Sequence, residues 1–231
     1  MAVPQIVVDR LAKRFVTSSG ALLALDDVSL SVTPREFCTI IGPSGCGKST
    51  LLALIGGLVV PDAGSVAIDG ARVSGPDPRR VAMVFQDPGL FPWRTALDNI
   101  AFGLELRGVP RAERRRAAAD LLGPLGLRDF ALRYPRELSG GMRQRVAIGR
   151  ALAIDAPIVL MDEPFGALDE QTRVLMGEWL LGVWTRARKT VVFVTHSLAE
   201  ALALSTRVVV MTARPGSPSA PSSGRRSARS L

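Results

Sequence analysis

Residues 42–50 read GPSGCGKST, placing Gly42, Gly47, Lys48 and Ser49 at the spacing G-x-x-x-x-G-K-[ST]. Between a strand and a helix, that spacing makes a cradle for nucleotide phosphates. The glycines let the backbone wrap so that amides from Gly45 to Ser49 face an anion, and the helix N-terminus adds its positive dipole end. Lys48 suits the outer phosphates, and the Ser49 hydroxyl suits Mg²⁺. The nucleotide contacts expected from the loop are therefore Gly42, Pro43, Ser44, Gly45, Cys46, Gly47, Lys48, Ser49 and Thr50. A glycine turn capping an ordinary helix is the competing reading, and the strand and helix on either side count against it.

A phosphate loop alone fits kinases, GTPases, motors and transport ATPases alike, so the acids narrow the choice. In IVLMDE, four apolar residues precede Asp162 and Glu163. This predicts a buried strand delivering both acids at its carboxyl end, where open α/β sheets bind ligands. Asp162 suits Mg²⁺, often through water, and leaves Glu163 to polarise an attacking water. The pair favours hydrolysis over transfer to a bound acceptor. The single histidine, His196, directly follows the strand TVVFVT and could hydrogen-bond a γ-phosphate while holding the water in line with Glu163. Gln86 follows VAMVF and could reach metal or water through its amide. A second anion cradle stands in ELSGGMRQR, where Ser139, Gly140 and Gly141 open a helical segment. Two phosphate cradles in one chain call for an explanation.

Short strand-like runs alternate with helical stretches, the pattern of a parallel sheet with crossover helices. QIVVDRLAKRF, VSLSV and FCTII read as strands, and the last runs directly into the loop. An Asp-Gly pair within SVAIDGARV signals a hairpin. From 95 to about 153 the pattern is helical, with Pro and Gly breaks, and strands return at IVLMDE, TVVFVT and RVVVMT. The chain is 47% hydrophobic over 231 residues, yet no run approaches the 18 or so apolar residues of a membrane span. No signal peptide is legible, and two cysteines, Cys38 and Cys46, make no disulfide framework. These features predict a soluble, intracellular protein. Half of the formal charge of +8 lies in residues 213–231, as Arg214, Arg225, Arg226 and Arg229. The other basic cluster, RAERRRAAADLL, has the pattern of a solvated helix face, so no nucleic-acid partner is expected. Residues 214–231 are rich in Ser, Pro, Gly and Arg and are expected to be a disordered basic tail.

Over residues 6–216 the sequence closely resembles the ATP-binding subunits of ABC transporters. The resemblance is carried by six elements in order: the phosphate loop at 42–50, Gln86, LSGG at 138–141, the strand at 158–163, ALD at 167–169 and His196. It implies an α/β fold with a P-loop NTPase core, a RecA-like mixed sheet with an antiparallel β subdomain, and an inserted α-helical subdomain carrying the signature. The core would comprise 1–94 and 155–213, and the insertion 95–154. The implied activity is ATP hydrolysis with ATP and Mg²⁺, catalysed by Glu163, His196 and Gln86, with Ser49, Gln86 and Asp162 toward the metal. The family's head-to-tail dimer accounts for both cradles, since Ser139, Gly140 and Gly141 would meet the ATP of a partner subunit. Asp169 would lie at the dimer seam. Phe15 matches the adenine-stacking aromatic, with core packing as the alternative.

FQDPGLFPWRTALDNIAFGLELRGVP further resembles importers of small anions such as nitrate, sulfonate and taurine. In that group Phe91 and Trp93 would receive a coupling helix of an integral-membrane permease; core packing is the bland alternative. The implied partners are a second copy or a related ATPase subunit, the permease and, indirectly, an extracytoplasmic solute-binding protein. The implied place is peripheral, on the cytoplasmic face of the inner membrane. An ABC ATPase of another class, an exporter or a nucleic-acid or ribosome-associated member, is the alternative, disfavoured by the absence of long insertions and by LFPW. Two departures stand out. Met142 follows LSGG where many relatives have Gln, and Arg35 occupies a turn where many have Gly, so that a positive φ there would strain it.

Overall fold

The computed structural model describes residues 3–18, 20–166, 168–213 and 216. The tail expected over 214–231 lies outside the described residues except for Gly216, as does Ala167 of the ALD run. The described residues form two compact units, one from Met1–Asp77 and Arg188–Leu231, the other from Pro78–Ala187.

The first unit opens with β1 (Ile6–Thr17), β2 (Gly20–Val32), β3 (Phe37–Ile41), α1 (Lys48–Ile55), β4 (Ala63–Ile68) and β5 (Ala71–Arg72). The second comprises β6 (Val81–Val84), α2 (Ala96–Leu106), α3 (Arg111–Leu122), α4 (Gly140–Ala153), β7 (Ile158–Asp162) and α5 (Glu170–Ala187). The first unit then resumes with β8 (Thr190–Val194), α6 (Leu198–Leu204) and β9 (Arg207–Val210).

Two sheets organise the first unit. An antiparallel sheet runs β2-β1-β4-β5, and its β4–β5 turn uses Asp69 at φ +47° and Gly70 at +77°. Two successive positive φ values are what a tight hairpin demands, as the Asp-Gly pair predicted. The second sheet pairs β3 in parallel with β8 on one side and β9 on the other. Buried by neighbours on both faces, β3 and β8 are near-continuous apolar runs, with Phe37 and Phe193 in ring contact at 5.7 Å. Sequence reading finds only VSLSV as the second strand, whereas β2 begins at Gly20. Its first half contains exposed residues and Asp26-Asp27, a composition of low β propensity. It is strand because β1 supplies a partner, with Phe15 opposite Leu22 and Arg14 opposite Leu23.

Arg35 sits in the turn before β3 at φ +64°, its amide donating to Thr190 Oγ1 at 2.8 Å. The left-handed conformation costs an L-residue about 1–2 kcal/mol, and glycine's extra unfolded-state entropy offsets about 0.5–1 kcal/mol of any relief. Arg35→Gly is therefore expected to stabilise the fold by about 0.5–1 kcal/mol. A higher urea midpoint at unchanged slope would show it, and a lower midpoint would refute it.

In the second unit β6 and β7 pair in parallel, Val81 opposite Ile158 through Val84 opposite Met161. Helices α2 and α4 pack closely through glycine: a Cβ on Gly149 of α4 would meet Ile100 of α2 at 3.2 Å, and one on Gly103 of α2 would meet Ile154, just past the end of α4, at 2.3 Å. As its pattern predicts, α3 buries only Ala118 and Leu122. Arg114 and Arg115 turn back to pair with Glu105 and Asp98 of α2.

Candidate functional site

Within the first unit, β3 ends at Ile41 and the chain wraps through residues 42–47 into α1. Gly45 (φ +76°) and Gly47 (φ +100°) take the left-handed conformations that the wrap requires. Gly47 is also pressed against β2, for a Cβ there would meet Leu25 Cδ2 at 2.6 Å and the Ala24 carbonyl at 2.7 Å. Pro43, Ser44, Gly45 and Ser49 are exposed, Thr50 is half-buried and Cys46 is buried. The Cys46 amide donates to the Pro43 carbonyl at 3.3 Å, closing a turn inside the loop. Lys48 is 5% exposed. Its ammonium donates to the carbonyls of Gly42 (2.8 Å) and Pro43 (3.0 Å), which hold it over the loop instead of extended into solvent.

Phe15, on β1, is 36% exposed, with the Lys13 ammonium 5.6 Å from its ring centre. It is a surface aromatic and not part of the core. His196 is exposed in the turn between β8 and α6. That turn is fixed on both sides: the Thr195 hydroxyl donates to Glu200 at 2.5 Å, and Ser197 caps α6 by accepting the Glu200 amide at 3.3 Å.

The remaining site residues belong to the second unit. All five residues of β7 are buried, and the strand delivers Asp162, 7% exposed, followed by half-buried Glu163. Glu163 has φ +43°, and its carbonyl accepts the Gly166 amide at 3.1 Å. A non-glycine residue there is uncommon and costs about 1–3 kcal/mol, a cost that tends to gather at functional sites. Asp169 caps α5, accepting the Thr172 amide (2.9 Å) and hydroxyl (2.7 Å). Those bonds, the amide first, hold its carboxyl below the usual carboxylate range.

Ser139 is the N-cap of α4, its hydroxyl accepting the Met142 amide at 3.2 Å. Gly140 and Gly141 form the first turn. A Cβ on Gly140 would meet only the end of Arg143, at 3.8 Å, whereas one on Gly141 would meet Leu168 at 2.9 Å. Gly141 thus allows the signature turn to approach the segment leading to Asp169. No acidic residue lies in the first turn of α4, so its positive end is not neutralised locally.

Gln86 is exposed just beyond β6. The segment after it is held by two residues that sequence reasoning missed. Asn99, fully buried on α2, accepts the Phe91 amide (2.8 Å) and donates to the carbonyls of Phe91, Arg94 and Thr95. Arg150 of α4 donates to the carbonyls of Pro88 and Gly89, both at 2.8 Å. The signal for Asn99 was present, since it is a lone amide among Ala96, Leu97, Ile100 and Ala101 on the buried face of α2. So clamped, the Phe91 ring packs at a tilt against Phe102 (4.4 Å between ring centres) and Trp93 (5.5 Å), and Trp93 is 70% exposed. Phe91 is half-buried, whereas Trp93 is presented outward.

No group of three or more His, Cys, Asp or Glu suited to a metal occurs among the described residues. Mg²⁺ keeps several waters and takes one or two protein oxygens together with substrate phosphates. Ser49, Gln86 and Asp162 supply a hydroxyl, an amide oxygen and a carboxylate, all hard oxygen donors. Among the described residues no helix is long and apolar enough to cross a membrane.

Residues 25–166 match the family model described as ABC transporter. The chain is 52% identical over 211 residues to a taurine import ATP-binding protein of Chromobacterium violaceum, covering 91% of this chain and 80% of that protein. It is 47% identical over 206 residues to a nitrate import ATP-binding protein of Synechocystis, covering 89% and 77%. It also superposes on a solved dimeric ATP-binding cassette in a post-hydrolysis state bound to ADP and Pi, with a TM-score of 0.83, 34% identity and coverage of 91% and 97%.

Proposed function

Since the chain belongs to the ABC transporter family, we propose that it is the ATP-hydrolysing subunit of an importer for a small anionic solute such as nitrate, a sulfonate or taurine. The observation that carries this reading is the built phosphate loop, with Lys48 held over it by the Gly42 and Pro43 carbonyls. The import relatives for taurine and nitrate supply the solute class.

In this reading residues 42–50 hold the ATP phosphates and Phe15 stacks on adenine. Ser49, Gln86 and Asp162 would hold Mg²⁺, which when bound neutralises phosphate charge. Glu163 takes the proton of the attacking water, and His196, fixed by its braced turn, hydrogen-bonds the γ-phosphate. Ser139, Gly140 and Gly141 donate to the ATP of a partner subunit, and Asp169 lies at the seam joining the two. Residues 95–154 act as a helical lobe inserted in a core of 1–94 and 155–213. ATP closes the dimer and hydrolysis reopens it, each nucleotide biasing an existing equilibrium. The subunit works peripherally at the cytoplasmic face of the inner membrane, on a permease fed by a solute-binding protein.

Trp93 is the anchor proposed for the permease. Exposed aromatics that fill a partner's pocket often cost 2 kcal/mol or more on truncation, about 30-fold in affinity. Co-expressed with its permease, the parent chain should co-purify from membranes and support ATP-dependent uptake of nitrate, taurine or a sulfonate. Trp93→Ala should weaken retention on the permease by about 30-fold. Equal retention would remove this face from the docking surface, and uptake of none of the three anions would overturn the solute class.

A further inference from the structure

Gly216 is fixed against the back of the phosphate loop. Its amide donates to the Ala24 carbonyl at 3.5 Å and its carbonyl accepts the Asp26 amide at 3.4 Å, pairing it in parallel with Leu25. A Cβ built on Gly216 would stand 2.0 Å from the Cys46 carbonyl oxygen, 2.7 Å from Met211 Cε and 3.2 Å from the Cys46 carbonyl carbon. A flexible side-chain end could swing away from such a contact; a backbone oxygen moves only with its peptide plane.

That plane also carries the Gly47 N–H. In a trans peptide the carbonyl oxygen and amide hydrogen lie on opposite sides of the C–N bond. The carbonyl facing Gly216 therefore turns the Gly47 N–H to the other side of the loop. There is no slack nearby to absorb a tilt. Gly47 is already pressed on Ala24 and Leu25, and a Cβ on Gly42 would meet the Met211 carbonyl at 2.7 Å and Cys46 Sγ at 2.9 Å. Residues 24–26, Met211 and Gly216 form a wall on which the loop leans.

We propose that Gly216 is a positioning residue for ATP: lacking a side chain, it lets the Cys46–Gly47 peptide lie flush on this wall and so aims the Gly47 amide at phosphate. The proposal rests on reading residues 42–50 as the nucleotide site.

The test is Gly216→Ala in the full chain, with ATP Kd from calorimetry, KM and kcat for hydrolysis, and Tm. Misdirecting one hydrogen bond to a charged phosphate should raise Kd and KM about 10-fold or more. At saturating ATP kcat should stay near the parent value, because the loop holds phosphate alike in ground and transition states. Gly182→Ala on α5, where an added Cβ meets nothing within 4 Å, should change neither. A folded Gly216→Ala variant with parental Kd and KM, even at lower Tm, would overturn the proposal. If that variant does not fold, two shortened chains decide the matter. One ending at Ala220 should bind ATP like the full chain and one ending at Pro215 about 10-fold more weakly; equal affinities would overturn it. Lys48→Ala is measured alongside. Undiminished ATP binding there would overturn the site reading itself, whereas loss there with Gly216→Ala unaffected would overturn the positioning role alone.

Discussion

Glu163→Gln is expected to bind ATP as the parent does and to hydrolyse it about 10²–10⁴-fold more slowly, the range that a positioned general base contributes. The substitution keeps the size of the side chain and a capacity to hydrogen-bond, and removes its charge and basicity. Backbone geometry gives no reason for the variant to misfold. Glu163 holds φ +43° with its carbonyl bonded to the Gly166 amide, and Gln meets the same left-handed cost as Glu. Nucleotide affinity should survive because the phosphate contacts are assigned to residues 42–50. With ATP bound and not consumed, the closed dimer should persist, so size exclusion in ATP should show a dimer in the variant and a shorter-lived one in the parent. Turnover at the parental rate would remove Glu163 from the role of base. Loss of ATP binding would place it among the nucleotide contacts instead.

The parts of the fold legible in the sequence are those governed by neighbours along the chain. The Asp69-Gly70 hairpin, the strand–loop–helix at 37–55, the buried run before Asp162 and the solvated face of α3 each follow from local chemistry acting over a few residues. The strained Arg35 turn was legible in the same way, as a residue standing where a glycine is preferred. What stayed hidden depends on partners distant in the chain. The first half of β2 is strand only because β1 lies beside it. Arg150 reads as one more helical arginine, yet it holds carbonyls about 60 residues away. Gly216 falls in the Ser-, Pro- and Arg-rich stretch expected to be a disordered tail, yet it pairs with Leu25 and abuts Cys46, and nothing in its sequence neighbours tells of either contact. The phosphate loop's residue types were therefore visible, but not the wall that shapes its backbone.

Ser139 offers the sharpest separation of a structural from a catalytic role. Its hydroxyl caps α4 by accepting the Met142 amide, and losing a cap costs about 1 kcal/mol, too little to unfold most domains. If the same residue and the amides behind it also meet a partner's γ-phosphate, removing one preorganised donor costs about 10²–10³ in rate. Ser139→Asp should divide these effects, since aspartate is as good a cap as serine but sets a negative charge where phosphate must bind. We expect Tm near the parent's and hydrolysis lowered by at least about 10²-fold; parental hydrolysis would remove Ser139 from phosphate recognition. Mixing then tests where the second half of the site comes from. Chains carrying Ser139→Asp keep an intact phosphate loop, and chains carrying Lys48→Ala keep an intact signature. Each alone should be nearly inert. In a head-to-tail pair of the two, one site joins a good loop to a good signature, so mixed samples should recover hydrolysis that neither has alone. Were loop and signature to serve the same nucleotide within one chain, no mixture could restore activity. Recovery on mixing would therefore mean that the two cradles of one sequence are halves of two different sites.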